Sequence, residues 1–301
     1  MEVKFIVLFA LVSAVVADLY DPIDLSGIAT VEERPGFWES RIPELRPRQI
    51  DPRSTSRIIG GWEVEPHSHP YAVFVLSSLG GSSWRCGGSI ISPIAALTAA
   101  HCPEGTTSAM IIAGAHNINM VEPTQQRRTI PLADYRLHEN YNPPSLQNDI
   151  AILLIRTNPV AETPEIRFPQ LPYTLRNDLF AGEMVSIVGW GRTCATCNTS
   201  PVLRGVTNLI ITNAECRQFY STVVAHQMCM QTVGQRGTCP GDSGGPYTLP
   251  YPGAGNNLPF VQIAVHSFGA SANVGGCDAQ RPSGSVRTNF FLDWIDSTAR
   301  L

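Results

Sequence analysis

The chain carries 301 residues, 43% of them hydrophobic, with a formal net charge of -4. That is enough apolar material for a sizeable core, and with no basic excess the composition argues against a nucleic-acid partner. Residues 1 to 17 read as a secretory signal peptide: Lys4, an apolar stretch from Phe5 to Val16, and small residues Val15 and Ala17 before a cut expected ahead of Asp18. The stretch falls short of the ~20 apolar residues a spanning helix needs and no later segment qualifies, so a secreted, extracellular protein with no membrane association is expected. Residues 18 to 57 differ in character, with Pro35, Pro43, Pro47 and Pro52 breaking any periodicity, frequent charges and no cysteine.

From Ile58 the pattern becomes short β-branched or apolar runs between turn residues. These are Tyr71 to Leu76, Ser89 to Ile91, Ala109 to Ala113, Ile150 to Ile155, Met184 to Val188, Leu209 to Ile211 and Pro259 to Val265, and they predict an all-β fold. The segment from Asn289 to Ala299 places Phe290, Phe291, Trp294 and Ile295 at helical spacing and predicts one amphipathic C-terminal helix.

The chemistry centres on Gly241-Asp242-Ser243-Gly244-Gly245-Pro246. A serine hydroxyl is a poor nucleophile at neutral pH, so a base must take its proton and a carboxylate must orient that base. Both candidates lie upstream, His101 within Leu97-Thr98-Ala99-Ala100-His101-Cys102 and Asp149 just before the apolar run Ile150 to Leu154. With Ile58-Ile59-Gly60-Gly61 and Gly189-Trp190-Gly191 in the same order, the chain from Ile58 onward resembles the secreted serine endopeptidases of the chymotrypsin/trypsin family.

That resemblance implies two six-stranded antiparallel β-barrels with the catalytic cleft between them and a C-terminal α-helix. It implies a signal peptide (1–17), an activation propeptide (18–57) and a protease domain (58–301), with cleavage at Arg57-Ile58 freeing an amine to pair with Asp242. His101, Asp149 and Ser243 would be the triad, and the backbone N–H groups of Gly241 and Ser243 the oxyanion hole. With no cysteine before Cys86, the propeptide is expected to dissociate after cleavage. The eight cysteines imply four disulfides in an oxidising compartment. The resemblance pairs Cys86 with Cys102, Cys216 with Cys229, and Cys239 with Cys277. Cys194 and Cys197 remain, a CxxC that lacks the further ligands of a zinc site and the α/β context of a redox site; a small-loop disulfide is the reading adopted. Asn198-Thr199-Ser200 matches a glycosylation sequon, with Pro201 directly after it. In the loop from Gly114 to Gln126, where some relatives bind calcium, Ala115 and Gln125 stand at the ligand places and only Glu122 is acidic. No metal and no cofactor are expected.

Specificity is less determined. Trypsin-type relatives place an aspartate where this chain has Gly237, so cleavage after Lys or Arg is not expected, and a separate trypsin-like protease is implied as activator. Gly237, Gly269 and Ser283 are small and suggest an open uncharged pocket for a large apolar P1 side chain. Ser267-Phe268-Gly269 resembles the segment that pairs with substrate backbone. Thr238 and His266 instead resemble the pair by which glutamate-specific relatives hold an acidic P1, and that alternative stays open beside the apolar one. His67, His69, His116, His138 and His226 are expected to be solvated or locally hydrogen-bonded, and Asp278 to face solvent. Expected partners are protein or peptide substrates, the activator and protein protease inhibitors; a monomer is the simplest state. Lack of accessory modules fits a digestive role. An inactive homologue with a binding role is the competing class, but none of the triad or oxyanion residues is replaced.

Overall fold

The computed structural model describes residues 25, 27–38, 40–41, 61–232, 234, 236–250, 260–270 and 275–301. The expected signal peptide (1–17) and the expected cleavage bond Arg57-Ile58 lie outside the described residues. The first sheet is built from β3 (Ala72–Leu79), β4 (Ser82–Ser92), β5 (Ala95–Thr98), β6 (Ser108–Ala113), β7 (Gln126–Pro131), β8 (Tyr135–Leu137) and β9 (Ala151–Leu154) in the order β7-β6-β3-β4-β5-β9-β8. All of these pairings are antiparallel. A 3-10 turn, Leu132–Asp134, separates β7 from β8, so what would be one long strand is two short ones. β3 and β4 meet across Gly80-Gly81, both at positive φ (57° and 87°). A two-residue hairpin requires that backbone, and glycine adopts it without strain.

β10 (Met184–Gly189), β11 (Arg204–Ile211), β12 (Gln227–Met230), β13 (Pro246–Pro250), β14 (Phe260–Phe268) and β15 (Ser283–Arg287) form the second barrel, which closes through the β10–β11 pairing. The short β2 (Trp62–Glu63) adds to the edge of β11. Each barrel is filled from its strands' inward faces: Val73, Val75, Ile90, Leu97, Ile111 and Ile152 in the first, and Val185, Ile187, Ile210, Met228, Tyr247 and Ile263 in the second. The C-terminal helix, Leu292–Ala299, starts three residues later than the spacing predicts, because Thr288–Phe290 forms a 3-10 turn first. It buries Leu292, Ile295 and Ala299 in the first cluster.

One element departs from the antiparallel plan. β1 (Ala29–Thr30), from the segment ahead of the two barrels, pairs in parallel with Trp84 and Arg85 of β4. Leu25, Thr30, Val31, Phe37 and Arg41 are buried there.

Candidate active site

The predicted catalytic residues come from loops that leave the two barrels and face each other. His101 follows β5, Asp149 precedes β9, and Ser243 precedes β13. His101 Nδ1 lies 2.7 Å from Asp149 Oδ2, and the His101 backbone N–H donates to Asp149 Oδ1 at 2.9 Å. Ser267 donates its hydroxyl to Asp149 Oδ2 at 2.5 Å. Burial pushes the Asp149 carboxyl up, but the adjacent imidazole and these donors together hold it below its ordinary value. An ionised Asp149 fixes the imidazole tautomer with Nδ1–H toward the carboxylate and leaves Nε2 as the proton acceptor.

Nε2 of His101 is buried and has no hydrogen-bond partner among the described residues. Ser243 Oγ donates instead to Glu32 Oε1 at 2.5 Å, and Gly241 N donates to Glu32 Oε2 at 3.2 Å. Gly241 sits at φ 94°, where a Cβ would come within 3.1 Å of the Gly191 Cα. Phe37 meets the His101 ring edge-on at 5.6 Å. The sequence reading missed both Glu32 and Phe37: they lie in a proline-interrupted segment without periodicity, more than 60 residues before His101 and 200 before Ser243.

Asp242 is half-buried, and its two oxygens accept backbone N–H groups of Gly191 and Cys239, each at 2.9 Å. A Cβ on Gly189 or Gly191 would stand 2.3 or 2.5 Å from Asp242 Oδ1, so the glycines around Trp190 are the space this carboxyl occupies. Burial, opposed by those two hydrogen bonds, pushes it up to about 7. Among the described residues it has no ion-pair partner.

The pocket beside Ser243 is lined by Thr238, His266, Phe268, Gly269 and Leu146, together with Phe37 and Trp38 of the leading segment. Thr238 Oγ1 donates to Ser283 Oγ at 2.9 Å. A Cβ on Gly237 would meet Thr232 Cγ2 at 2.6 Å. The Phe268 ring lies over Gly284, where a Cβ would be 2.2 Å from it, and packs edge-on against Tyr220. His266 is buried with Nδ1 3.4 Å from the Tyr247 hydroxyl. Burial, with the nearby His101 adding to it, pushes His266 down to about 3, so its ring is neutral at physiological pH.

The structure bonds Cys86 to Cys102, Cys194 to Cys197, Cys216 to Cys229 and Cys239 to Cys277. Cys86, Cys102 and His101 lie close enough to share an ion, but the two sulfurs are joined to each other and offer no thiolate. In the loop from Gly114, Glu122 spends both oxygens on the backbone N–H groups of His116 and Asn117. Asp278 differs from expectation: it is half-buried, because its carboxylate accepts the Ala195 N–H of the Cys194–Cys197 loop. Two of the other histidines are more engaged than expected. His116 is buried against Glu63 at 2.9 Å, and His226 Nε2 accepts the N–H of Asn148, the residue before Asp149.

A buried carboxylate–imidazole pair beside a serine, with a glycine N–H pointing into the same space, defines a hydrolytic site that acts by nucleophilic attack. Residues 58–295 match the family model described as Trypsin, and the chain belongs to that family of serine proteases. Brachyurin of Leptuca pugilator is 40% identical over 243 residues, covering 80% of this chain and 97% of that protein. Chymotrypsin of Phaedon cochleariae is 33% identical over 251 residues, covering 83% and 84%. The solved structure of HL collagenase superposes with a TM-score of 0.69 at 28% identity, over 81% of this chain and 99% of that one.

Proposed function

We propose that the chain is a secreted serine endopeptidase with Ser243 as nucleophile, His101 as base and Asp149 as the residue that orients it. Ser243 Oγ attacks a peptide carbonyl carbon as His101 Nε2 takes its proton, and the same proton then passes to the leaving amine. Water repeats the sequence on the acyl-enzyme. The tetrahedral oxyanion would be held by the N–H groups of Gly241 and Ser243, each such donor worth ~3 kcal/mol of barrier. The observation that carries this reading is the fully buried Asp149 with His101 Nδ1 at 2.7 Å and the imidazole's other nitrogen without a hydrogen-bond partner among the described residues, open to a proton. The bonded cysteines support an oxidising, extracellular setting.

Residues 1–17 are read as the signal and 18–57 as the propeptide, cut after Arg57 by a trypsin-like protease. The freed Ile58 amine would then pair with Asp242, a carboxyl that has no ion-pair cation among the described residues and sits beside an opening lined by Gly61, Gly189 and Gly191. For P1 we favour a large apolar side chain. Gly237, Thr238, Gly269 and Ser283 bring no charge, and a neutral His266 whose Nδ1 faces the Tyr247 hydroxyl is a poor partner for a carboxylate. A free monomer acting on protein substrates and open to protein inhibitors completes the reading; its likeness to HL collagenase makes collagen one substrate to include.

The test is a P1 profile of the trypsin-activated chain on peptides ending in Phe, Tyr, Leu, Glu, Asp and Arg, with Ser243→Ala as control. Fast turnover after Phe, Tyr or Leu is expected, and none by the control. Preference for Glu, abolished by His266→Val, would overturn the apolar assignment. No turnover of any substrate after clean cleavage and removal of the released 18–57 peptide by gel filtration would overturn the endopeptidase reading itself.

A further inference from the structure

The catalytic groups of this chain are not open to solvent: His101 is 0% and Ser243 2% exposed. What covers them belongs to the segment that cleavage after Arg57 would detach. The 3-10 turn Val31–Glu33 drives Glu32 into the space between Ser243 and Gly241. Its carboxylate takes the nucleophile's proton donor away from His101 and occupies an oxyanion donor with a group of the right charge and no leaving group. A side-chain carboxylate presents no amide to cut, so the contact blocks the site and is not consumed by it.

The hold on either side of Glu32 is extensive. Thr30 N donates to Glu33 Oε2 at 2.7 Å, shaping the turn, and Glu33 pairs with Arg192. Arg85 of β4, itself buried, donates Nε to the Ile28 carbonyl at 3.0 Å and Nη2 to the Leu25 carbonyl. On the far side Phe37 covers His101, and buried Arg41 pairs with Glu104 at 3.0 Å while stacking on Phe37 at 4.4 Å. None of the disulfides among the described residues joins this segment to the rest.

We propose that residues 25–41 are an active-site inhibitor that remains a ligand for the protease after cleavage: an acidic, aromatic-bearing peptide recognised through the Glu32 carboxylate in the oxyanion site. Activity then requires two events, the cut after Arg57 and the departure of the peptide. The inference deepens the serine endopeptidase reading and rests on it.

The experiment starts from the full chain cleaved by trypsin, with mass spectrometry confirming a body that begins at Ile58, freed of its peptide by gel filtration. A fluorescein-labelled synthetic peptide of residues 18–57 is titrated in, with binding read by anisotropy and inhibition by hydrolysis of the preferred small substrate. The wild-type peptide is expected to bind and inhibit competitively. Glu32→Ala should weaken both by about tenfold or more, as befits loss of a charge-assisted contact, and Phe37→Ala should weaken both in the same direction. Absence of binding, binding without inhibition, or equal potency of the Glu32→Ala peptide would each overturn the proposal. A peptide-free body that hydrolyses nothing would sink the endopeptidase reading instead, and anisotropy would still decide whether Glu32 anchors the peptide.

Discussion

Asp149 stays ionised in a fully buried position because His101 and Ser267 surround it with donors, and Ser267 is the one of these that a variant can remove without touching the reacting groups. Ser267→Ala is expected to lower kcat/KM about tenfold, the scale of one hydrogen bond to a charged group (~1.5 kcal/mol). KM should change little, and the Asp149 carboxyl should protonate at a higher pH than in the wild type, since losing a donor raises it, a shift that pH-difference infrared spectroscopy reads. An unmoved carboxyl with unchanged kcat would make Ser267 a pocket-wall residue only. Its side-chain role was hidden in the sequence, where Ser267 reads only as part of a backbone segment for substrate. His101, Asp149 and Ser243 were legible because each sits in its own distinctive run of neighbours. Glu32 was not, since nothing local marks a carboxylate whose partners lie hundreds of residues away.

At the scale of elements, apolar runs located β3, β4, β6, β9, β10, β11 and β14, and missed the short β5 and β12 together with strands whose buried faces are not aliphatic. β7 reads Gln-Arg-Arg-Thr-Ile-Pro and buries only Ile130. β15 is the opposite case: Ser-Gly-Ser-Val-Arg is buried throughout, because small polar residues line the cleft and Gly284 makes room for the Phe268 ring. The disulfides brace these elements unequally. Cys194–Cys197 spans a separation of 3 residues and Cys239–Cys277 one of 38. Loop-closure entropy then assigns ~1.5 kcal/mol to the first and ~4 kcal/mol to the second. Denaturant unfolding of the Cys194→Ala/Cys197→Ala and Cys239→Ala/Cys277→Ala pairs should show the second losing clearly more stability. A larger loss from the small loop would mean that its contacts with Asp278, not chain entropy, dominate.

Across the whole molecule, the uncut chain holds a carboxyl in the wrong state for neutral pH. Asp242 is raised from 3.8 to about 7 by burial, so the stability it contributes is complete below about pH 4 and is lost as pH rises through 7. The melting temperature of the uncut chain is therefore expected to fall between pH 5 and pH 8. Asp242→Asn should flatten that slope, and so should cleavage, by delivering the Ile58 amine. A slope that survives both changes would place its origin elsewhere. The other whole-molecule feature is the segment that fills the cleft with no covalent tie of its own to the barrels among the described residues. While the chain is intact, that segment is always at hand; once it is cut, its occupancy obeys mass action. On the proposed two-step activation, a crowded store of freshly cut molecules would keep itself quiet and dilution alone would release it, so the place of delivery, as much as the cut, would set the moment at which the protein begins to work.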